Sequence, residues 1–463
     1  MTEQLKLKLN DSKATRWGAL VIVAFTMMAA YYVNDVVAPL KTMLETDLAW
    51  SSTDFGFFTG GYSFLNVFFL MLIWGGLILD RFGIRFTGKL ATILMVGGTA
   101  LEYYAMTGLA GADATLFGIN EIFGYKTGVF VAFAGYSIFG VGAEVAGITV
   151  SKIIAKWFKG KELATAMGVH VALARIGSQA GYAVAIPLAR AFGISTPVLL
   201  GLVLLLGGMI AFFIFAVMDK KLDKQMEAAA IAAGTEDEEE KFSFKDVKNI
   251  LVNPGFWLIA LLCVLFYSCV FPFQKFASEL MIIKYGINEN VAGTFAGLPA
   301  LGALILTPVF GGFIDKRGKS ASIMLLGSAM LICVHFIYAI PDINYWLVAI
   351  VLMIILGIAF SLVPSAMWPA VAKIFPVSQL GTAYALIFFI QNIGLWGIPT
   401  LIGWVLDAYC ISGKKPDGTN MYDYTVPMCI FTGIACLSLI VALLLKKADK
   451  KYGYKLEEPN IQK

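Results

Sequence analysis

The sequence predicts an all-α membrane protein with twelve transmembrane helices arranged as two six-helix bundles. Three observations support this: apolar runs of about twenty residues recur along the chain, Lys and Arg collect in alternate loops, and one loop pattern occurs twice. Hydrophobic residues make up 59% of the chain and charged residues only 14%, whereas soluble domains carry about 25% charged residues. The chain therefore cannot cover a water-facing surface in the usual way.

The apolar runs define the spans. Each is long enough to cross a bilayer core, and backbone groups in lipid must pair within their own segment, so the spans are helices. We place them at 17–38, 55–79, 88–109, 127–150, 163–189, 195–217, 254–280, 290–313, 320–340, 345–372, 380–408 and 424–445.

The basic residues orient these spans. Most of the 35 Lys and Arg residues fall in the termini and in every second loop, when residues at helix ends are assigned to the nearer loop. The positive-inside pattern places that side in the cytoplasm. Both termini are therefore predicted to be cytoplasmic.

A long polar stretch divides the chain. It contains an acidic run at 235–240, which we interpret as part of a solvated linker, with a partner-binding segment as the alternative. The predicted domains are an N-terminal six-helix bundle at 1–218, a cytoplasmic linker at 219–250 and a C-terminal six-helix bundle at 251–463.

The second loop of each half carries the same pattern. Each has a helix end, an Asp, basic residues, a turn Gly and another basic residue. The motif residues are Gly76, Asp80, Arg81, Gly83 and Arg85 in the first half, and Asp315 and Arg317 in the second. Parallel repeats around a central site are how many transporters are built.

These paired loops, with twelve spans and a long central loop, resemble the major facilitator superfamily. The resemblance implies the major facilitator fold and alternating access by two bundles. It also implies a cytoplasmic gate in which the loop Asp and Arg hold the halves together when the site faces outward. If the loops only fixed topology, the Asp would be unexplained, since acidic residues contribute little to orientation.

Longer blocks resemble one branch of that superfamily, which contains the lysosomal dipeptide uniporter of animals. The blocks lie at 142–145, 156–163, 174–178, 266–273, 367–372, 379–384 and 391–394. The animal members carry an acidic dileucine sorting signal, which we do not find in either tail. A prokaryotic cytoplasmic or inner membrane is therefore expected in place of a lysosome.

Two charged residues are the leading candidates for substrate contact. Arg175 is the only Lys or Arg that we place inside a span away from its ends, where a charge costs at least ~2.5–3.5 kcal/mol. Glu144 lies near the same depth on the preceding span. A guanidinium can bind a carboxylate with two N–H groups and a carboxylate can receive an ammonium, so the two suit a zwitterion. The resemblance implies that they bind the termini of a peptide, and a structural ion pair is the alternative.

Other residues at membrane depth are weaker candidates, because helix packing accounts for each of them equally well. The candidates for substrate contact are Tyr62, Asn66, Tyr267, Trp368, Tyr384 and Gln391. Asp35, Glu144 and His170 could titrate and are the candidates for proton coupling. Asp35 could equally be a solvated helix-end carboxylate, and for His170 a packed, hydrogen-bonded histidine is the favoured interpretation.

The sequence therefore predicts a facilitative or secondary active transporter of a small polar solute, with a dipeptide or short peptide favoured. Uniport and proton symport remain open. An organic anion or sugar acid is the alternative substrate, and a non-transporting receptor or scaffold is the alternative class. We recognise no nucleophile–base set, metal cluster or phosphate-binding loop, so no enzyme activity, cofactor, metal or nucleic-acid partner is predicted. The expected partners are the solute, the lipid bilayer and, for symport, protons, and a monomer is expected.

Overall fold

A computed structural model describes residues 8–111, 114–158, 161–233 and 244–459, which form fifteen α-helices and two short β-hairpins. Residues 159–160 and the acidic run of the predicted linker lie outside the described residues. The N-terminal half holds α1 (Lys13–Val36), α2 (Lys41–Asp47), α3 (Ser52–Phe68), α4 (Met71–Thr107), α5 (Thr127–Trp157), α6 (Leu163–Phe192) and α7 (Thr196–Ala233). The C-terminal half holds α8 (Phe244–Val252), α9 (Pro254–Tyr285), α10 (Glu289–Ala296), α11 (Leu298–Arg317), α12 (Ser320–Ala339), α13 (Trp346–Ile374), α14 (Val377–Tyr409) and α15 (Thr425–Tyr452). The antiparallel hairpins pair β1 (Glu121–Ile122) with β2 (Tyr125–Lys126), and β3 (Ile411–Lys414) with β4 (Asn420–Tyr422).

The predicted all-α membrane fold is confirmed. In the described part of the chain, nine helices are long and apolar enough to cross a membrane, and the bent pair α3–α4 makes a tenth. The predicted fifth span is α6, whose 30 residues extend about 45 Å at 1.5 Å per residue. The predicted third span is the second part of α4. The helix α7 continues to Ala233, so the first part of the predicted linker is helical.

The chain reverses direction inside α4, at the motif glycine Gly83. Its φ of 75° and ψ of 174° interrupt the helix, and glycine adopts a positive φ without the steric cost of a side chain. The facing residues are Tyr62–Gly140 and Gly75–Val145 before the turn, and Ala91–Gly142 and Gly98–Gly135 after it. The chain therefore runs parallel to α5 before Gly83 and antiparallel to α5 after it. Spans two and three join at this glycine.

The predicted second span is not one continuous helix. It is broken between Phe68, where α3 ends, and Met71, where α4 begins. At the break, Leu70 has a left-handed backbone, with φ 53° and ψ 33°. That conformation costs a residue with a side chain roughly 1–2 kcal/mol. The residues beside Leu70 are apolar and include neither proline nor glycine, so no residue type there predicts the break.

Replacing Leu70 by glycine is expected to leave the protein about 1 kcal/mol more stable than replacing it by alanine, because only glycine relieves the left-handed strain. Both variants lose the same side chain, and alanine keeps the Cβ that causes the strain, so the two are a matched pair. Thermal unfolding in detergent measures the difference. Equal melting temperatures would contradict a strained Leu70.

The two halves contact each other at one end of the molecule, which we call the closed end. There α3 packs against α14, and α6 against α10 and α11. A Cβ on Gly56 would lie 2.4 Å from the Pro399 carbonyl oxygen and 3.0 Å from the Gly403 Cα, so the close approach requires small residues. The opposite end of the molecule holds the turns at Gly83 in α4 and at Gly318 after α11. We call it the motif end.

At the motif end, residues near the N- and C-termini of the chain form hydrogen bonds to the helices of their own half. Arg16 donates to both carboxylate oxygens of Glu162, at 2.7–3.1 Å, and these hydrogen bonds hold the pKa of Glu162 below its usual range. In the C-terminal half, the Glu457 carboxylate accepts hydrogen bonds from the backbone N–H and the hydroxyl of Ser322, both at 2.8 Å. Glu457 therefore caps the first turn of α12.

Candidate substrate-binding site

Arg175 lies in α6 with its guanidinium over two aromatic rings. Its Cζ is 4.9 Å from the ring centre of Phe360 in α13 and 5.6 Å from that of Tyr31 in α1. Within the described residues, no oxygen accepts a hydrogen bond from this guanidinium and no carboxylate pairs with it. Stacking on rings leaves the in-plane N–H groups free, so Arg175 can still bind a carboxylate with two of them.

Glu144 lies in α5 and accepts a 3.0 Å hydrogen bond from the Tyr62 hydroxyl in α3. The contact depends on Gly140, because a Cβ there would lie 2.1 Å from the Tyr62 carbonyl oxygen. The carboxylate oxygens of Glu144 are more than 4.0 Å from the guanidinium nitrogens of Arg175, so the two do not form the structural ion pair weighed above. Tyr31 interacts electrostatically with both residues, which places them around one region.

Three of the other predicted residues form an aromatic group beside Arg175. The Tyr267 ring meets the Phe360 ring, which lies next to the Arg175 guanidinium, with ring centres 6.2 Å apart. The Tyr384 hydroxyl donates to the Trp368 carbonyl oxygen at 3.1 Å, and the two ring centres are 5.8 Å apart. These side chains extend from Arg175 into the C-terminal half.

The remaining predicted polar residues lie elsewhere in the helices. Gln391 accepts a 3.3 Å hydrogen bond from the Cys263 thiol within the C-terminal half. Among the described residues, neither amide atom of Asn66 has a partner, and the same holds for His170 Nδ1, although both side chains are buried. Their roles in substrate contact and proton coupling stay predictions.

Asp35 forms an ion pair that connects the two halves. Its carboxylate lies 3.2 Å from the Lys275 ammonium of α9, which also donates to the Asn34 carbonyl oxygen at 2.6 Å. Asp35 is therefore not a solvated helix-end carboxylate. Lys275 lies well inside α9 and is buried, so Arg175 is not the only cation within a span. Lys275 lies near the predicted end of span seven, so the sequence pattern alone assigns it to a helix end.

A second buried group, the closed-end cluster, consists of Lys41, Glu45, Glu279, Lys415 and Tyr424. The Lys41 ammonium is 2.5 Å from both Glu45 and Glu279, and the Lys41 and Glu279 side chains are 1% and 0% exposed. The Tyr424 hydroxyl donates to Glu279 at 2.5 Å, and the Lys415 ammonium is 3.5 Å from both carboxylates. Sequence reasoning missed this cluster because Lys41 and Glu279 are 238 positions apart.

The first motif makes its contacts within the N-terminal half. Asp80 pairs with Lys152 of α5 at 3.0 Å, and Arg85 pairs with Asp223 of α7 at 2.7 Å. The Arg81 guanidinium lies over the Phe82 ring. In the second motif, Asp315 and the exposed Arg317 lie in the last turn of α11, just before the positive-φ Gly318. The role of both motifs as a gate stays a prediction.

Comparison with known families decides what this fold is. The model of the Major Facilitator Superfamily matches residues 20–399 and 276–458. The chain belongs to the Major Facilitator Superfamily. The predictions of a major facilitator fold and of an alternating-access transporter are thereby confirmed.

Individual relatives agree with this assignment. The chain is 29% identical to the human lysosomal dipeptide transporter MFSD1 over 454 residues, which cover 95% of this chain and 88% of the relative. It is 26% identical to the zebrafish (Danio rerio) protein of the same name, covering 93% and 86%. The resemblance to that branch is confirmed.

Solved structures support the fold alone, because their identities are low. The nucleoside transporter NupG superposes with a TM-score of 0.68 at 12% identity, covering 92% of this chain and 98% of its own. The peptide transporter POT gives 0.67 at 15% identity, covering 95% of both chains.

Proposed function

We propose that this superfamily member transports dipeptides across the membrane, with Arg175 binding the terminal carboxylate and Glu144 the terminal ammonium. One observation carries the proposal: the Arg175 guanidinium lies over the Tyr31 and Phe360 rings and has no acceptor in the described residues. An unpaired cation at membrane depth is costly unless a ligand or water solvates it. The dipeptide activity named for the human relative supports the choice of substrate.

We further propose the orientation and cycle. The motif end faces the cytoplasm of a prokaryotic cell, with both termini on that side, and the conformation described here has its site open toward the cytoplasm. The closed-end cluster and the Asp35–Lys275 pair then seal the outer side, as their cross-half contacts support. On opening outward, the two motifs latch the cytoplasmic ends of the bundles at 1–218 and 251–463. Asp35, Glu144 and His170 remain the candidates for carrying protons if transport is coupled.

Counterflow into proteoliposomes tests the substrate. Vesicles loaded with an unlabelled dipeptide are expected to accumulate the same labelled dipeptide, and those loaded with a sugar acid are not. An N-acetylated, C-terminally amidated dipeptide, which has neither terminal charge, is the matched negative control. If a labelled sugar acid accumulates in vesicles loaded with the same sugar acid, and the labelled dipeptide does not accumulate in vesicles loaded with dipeptide, the proposal is overturned in favour of the organic-anion alternative.

A further inference from the structure

Phe360 contacts the candidate site from the opposite half of the protein. Arg175 belongs to α6 in the N-terminal half, and Phe360 belongs to α13 in the C-terminal half. The Phe360 side chain is 2% exposed, and the guanidinium carbon lies 4.9 Å from its ring centre. This distance is within the range of a cation–π interaction, which strengthens when water is excluded.

The Phe360 ring is held in place by two aromatic side chains of α9. Tyr267 meets it at 87° with ring centres 6.2 Å apart, and Phe271 meets it at 80° with ring centres 5.3 Å apart. Tyr267 and Phe271 are themselves stacked, at 5.5 Å and 15°. Edge-to-face contacts of this kind are directional, so the ring plane of Phe360 is fixed by its neighbours.

A fixed ring face in turn restricts the guanidinium. With Phe360 and Tyr31 both near it, the guanidinium is held without using any N–H group. An arginine whose plane is set in advance loses less side-chain entropy on binding a carboxylate. The stacking therefore prepares Arg175 for one class of ligand group.

We propose that Phe360 is a positioning residue for carboxylate recognition: it orients Arg175 so that its paired N–H groups meet the carboxylate of the substrate. The inference rests on the proposed function in that Arg175 is taken as the carboxylate-binding group. It adds a residue of the C-terminal half to a site whose two charged groups both come from the N-terminal half.

The test compares binding of paired ligands that differ only in the carboxylate. Affinities for a dipeptide, an acylated amino acid and a sugar acid, each beside its amidated form, are measured by isothermal titration calorimetry on the full-length protein. Phe360→Leu removes the ring face, and Phe360→Tyr keeps it. Phe388→Leu is the matched control, because Phe388 stacks on Trp368 at 4.8 Å and is not part of the contact with Arg175.

We expect Phe360→Leu to weaken binding of the free acid by about 5- to 30-fold, the range of cation–π contacts from exposed to water-excluded sites, and to leave the amidated form unchanged. Phe360→Tyr should keep the wild-type preference for the free acid over the amide, and Phe388→Leu should leave that preference unchanged. Equal losses for acid and amide in Phe360→Leu would mean that Phe360 only packs the site, which overturns the inference. If Phe360→Leu does not fold, loss of the acid preference in the well-folded Phe360→Tyr variant overturns it equally.

The choice of ligands separates this inference from the proposed function. If the wild-type protein binds the sugar acid and not the dipeptide, the dipeptide proposal fails, and the effect of Phe360→Leu on the sugar acid still decides the role of Phe360. If the wild-type protein prefers none of the free acids over its amide, both proposals are overturned.

Discussion

Replacing Arg175 by lysine is expected to abolish dipeptide uptake while the protein still inserts and folds. Lysine keeps the charge, so the cost of placing it in the membrane is similar. It cannot offer two parallel N–H groups to a carboxylate or stack its planar group on Phe360 and Tyr31. The loss of two charge-assisted hydrogen bonds corresponds to a fall of about 100-fold or more in uptake at low substrate concentration.

Uptake by proteoliposomes measures this effect, with the amount of inserted protein checked by its elution profile and melting temperature. Arg190→Lys is the matched control, because Arg190 lies in the same helix but pairs with Glu289 at an exposed position. We expect that control to transport normally. A well-expressed Arg175→Lys protein that retains uptake would remove Arg175 from the site.

Replacing Lys41 by methionine is expected to open the closed end. The closed-end cluster holds two cations and two anions, so removing Lys41 leaves Glu45 and Glu279 buried with only Lys415 nearby. Breaking a buried ion pair costs roughly 3–5 kcal/mol, and every 1.4 kcal/mol is about tenfold in an equilibrium constant. The equilibrium between the conformation described here and one with the closed end open should therefore shift toward the open one by about 100-fold or more.

The distance between the halves at the closed end measures this change. Spin labels on Thr46→Cys and Ser412→Cys, both exposed positions of different halves, report it by double electron–electron resonance. The exposed Cys333, Cys429 and Cys436 are first replaced by alanine. The double variant Lys41→Met/Glu279→Met is the control, because it removes one charge of each sign. In this variant the distance between the spin labels should return toward that of the closed end. Unchanged distances in Lys41→Met would show that the cluster does not hold this end closed.

The sequence predicts the fold well, because its determinants are local. Long apolar runs specify the helices whatever they pack against, and Gly83 marks a reversal that its positive φ requires. The break at Leu70 could not be predicted, since leucine has no preference for a left-handed backbone.

The candidate site is predicted in part for the same reason. Arg175 and Glu144 stand out because charge is rare at membrane depth, whichever residues surround them. Phe360 does not stand out, because an aromatic residue in an apolar span is usually packing, and its contact with Arg175 depends on the approach of two distant helices. Lys275 could have been recognised as a partner for Asp35 from opposite charges in two spans at similar depth.

The composition of the closed-end cluster also bears on how the protein responds to membrane voltage. The N-terminal half contributes Lys41 and Glu45, and the C-terminal half contributes Glu279 and Lys415, so each half carries one charge of each sign. A full charge that crosses the membrane field gains or loses about 2.3 kcal/mol per 100 mV. Since each half keeps a neutral pair when the cluster separates, this seal can open and close without moving net charge through the field. Its contribution to the conformational equilibrium is therefore independent of the membrane potential.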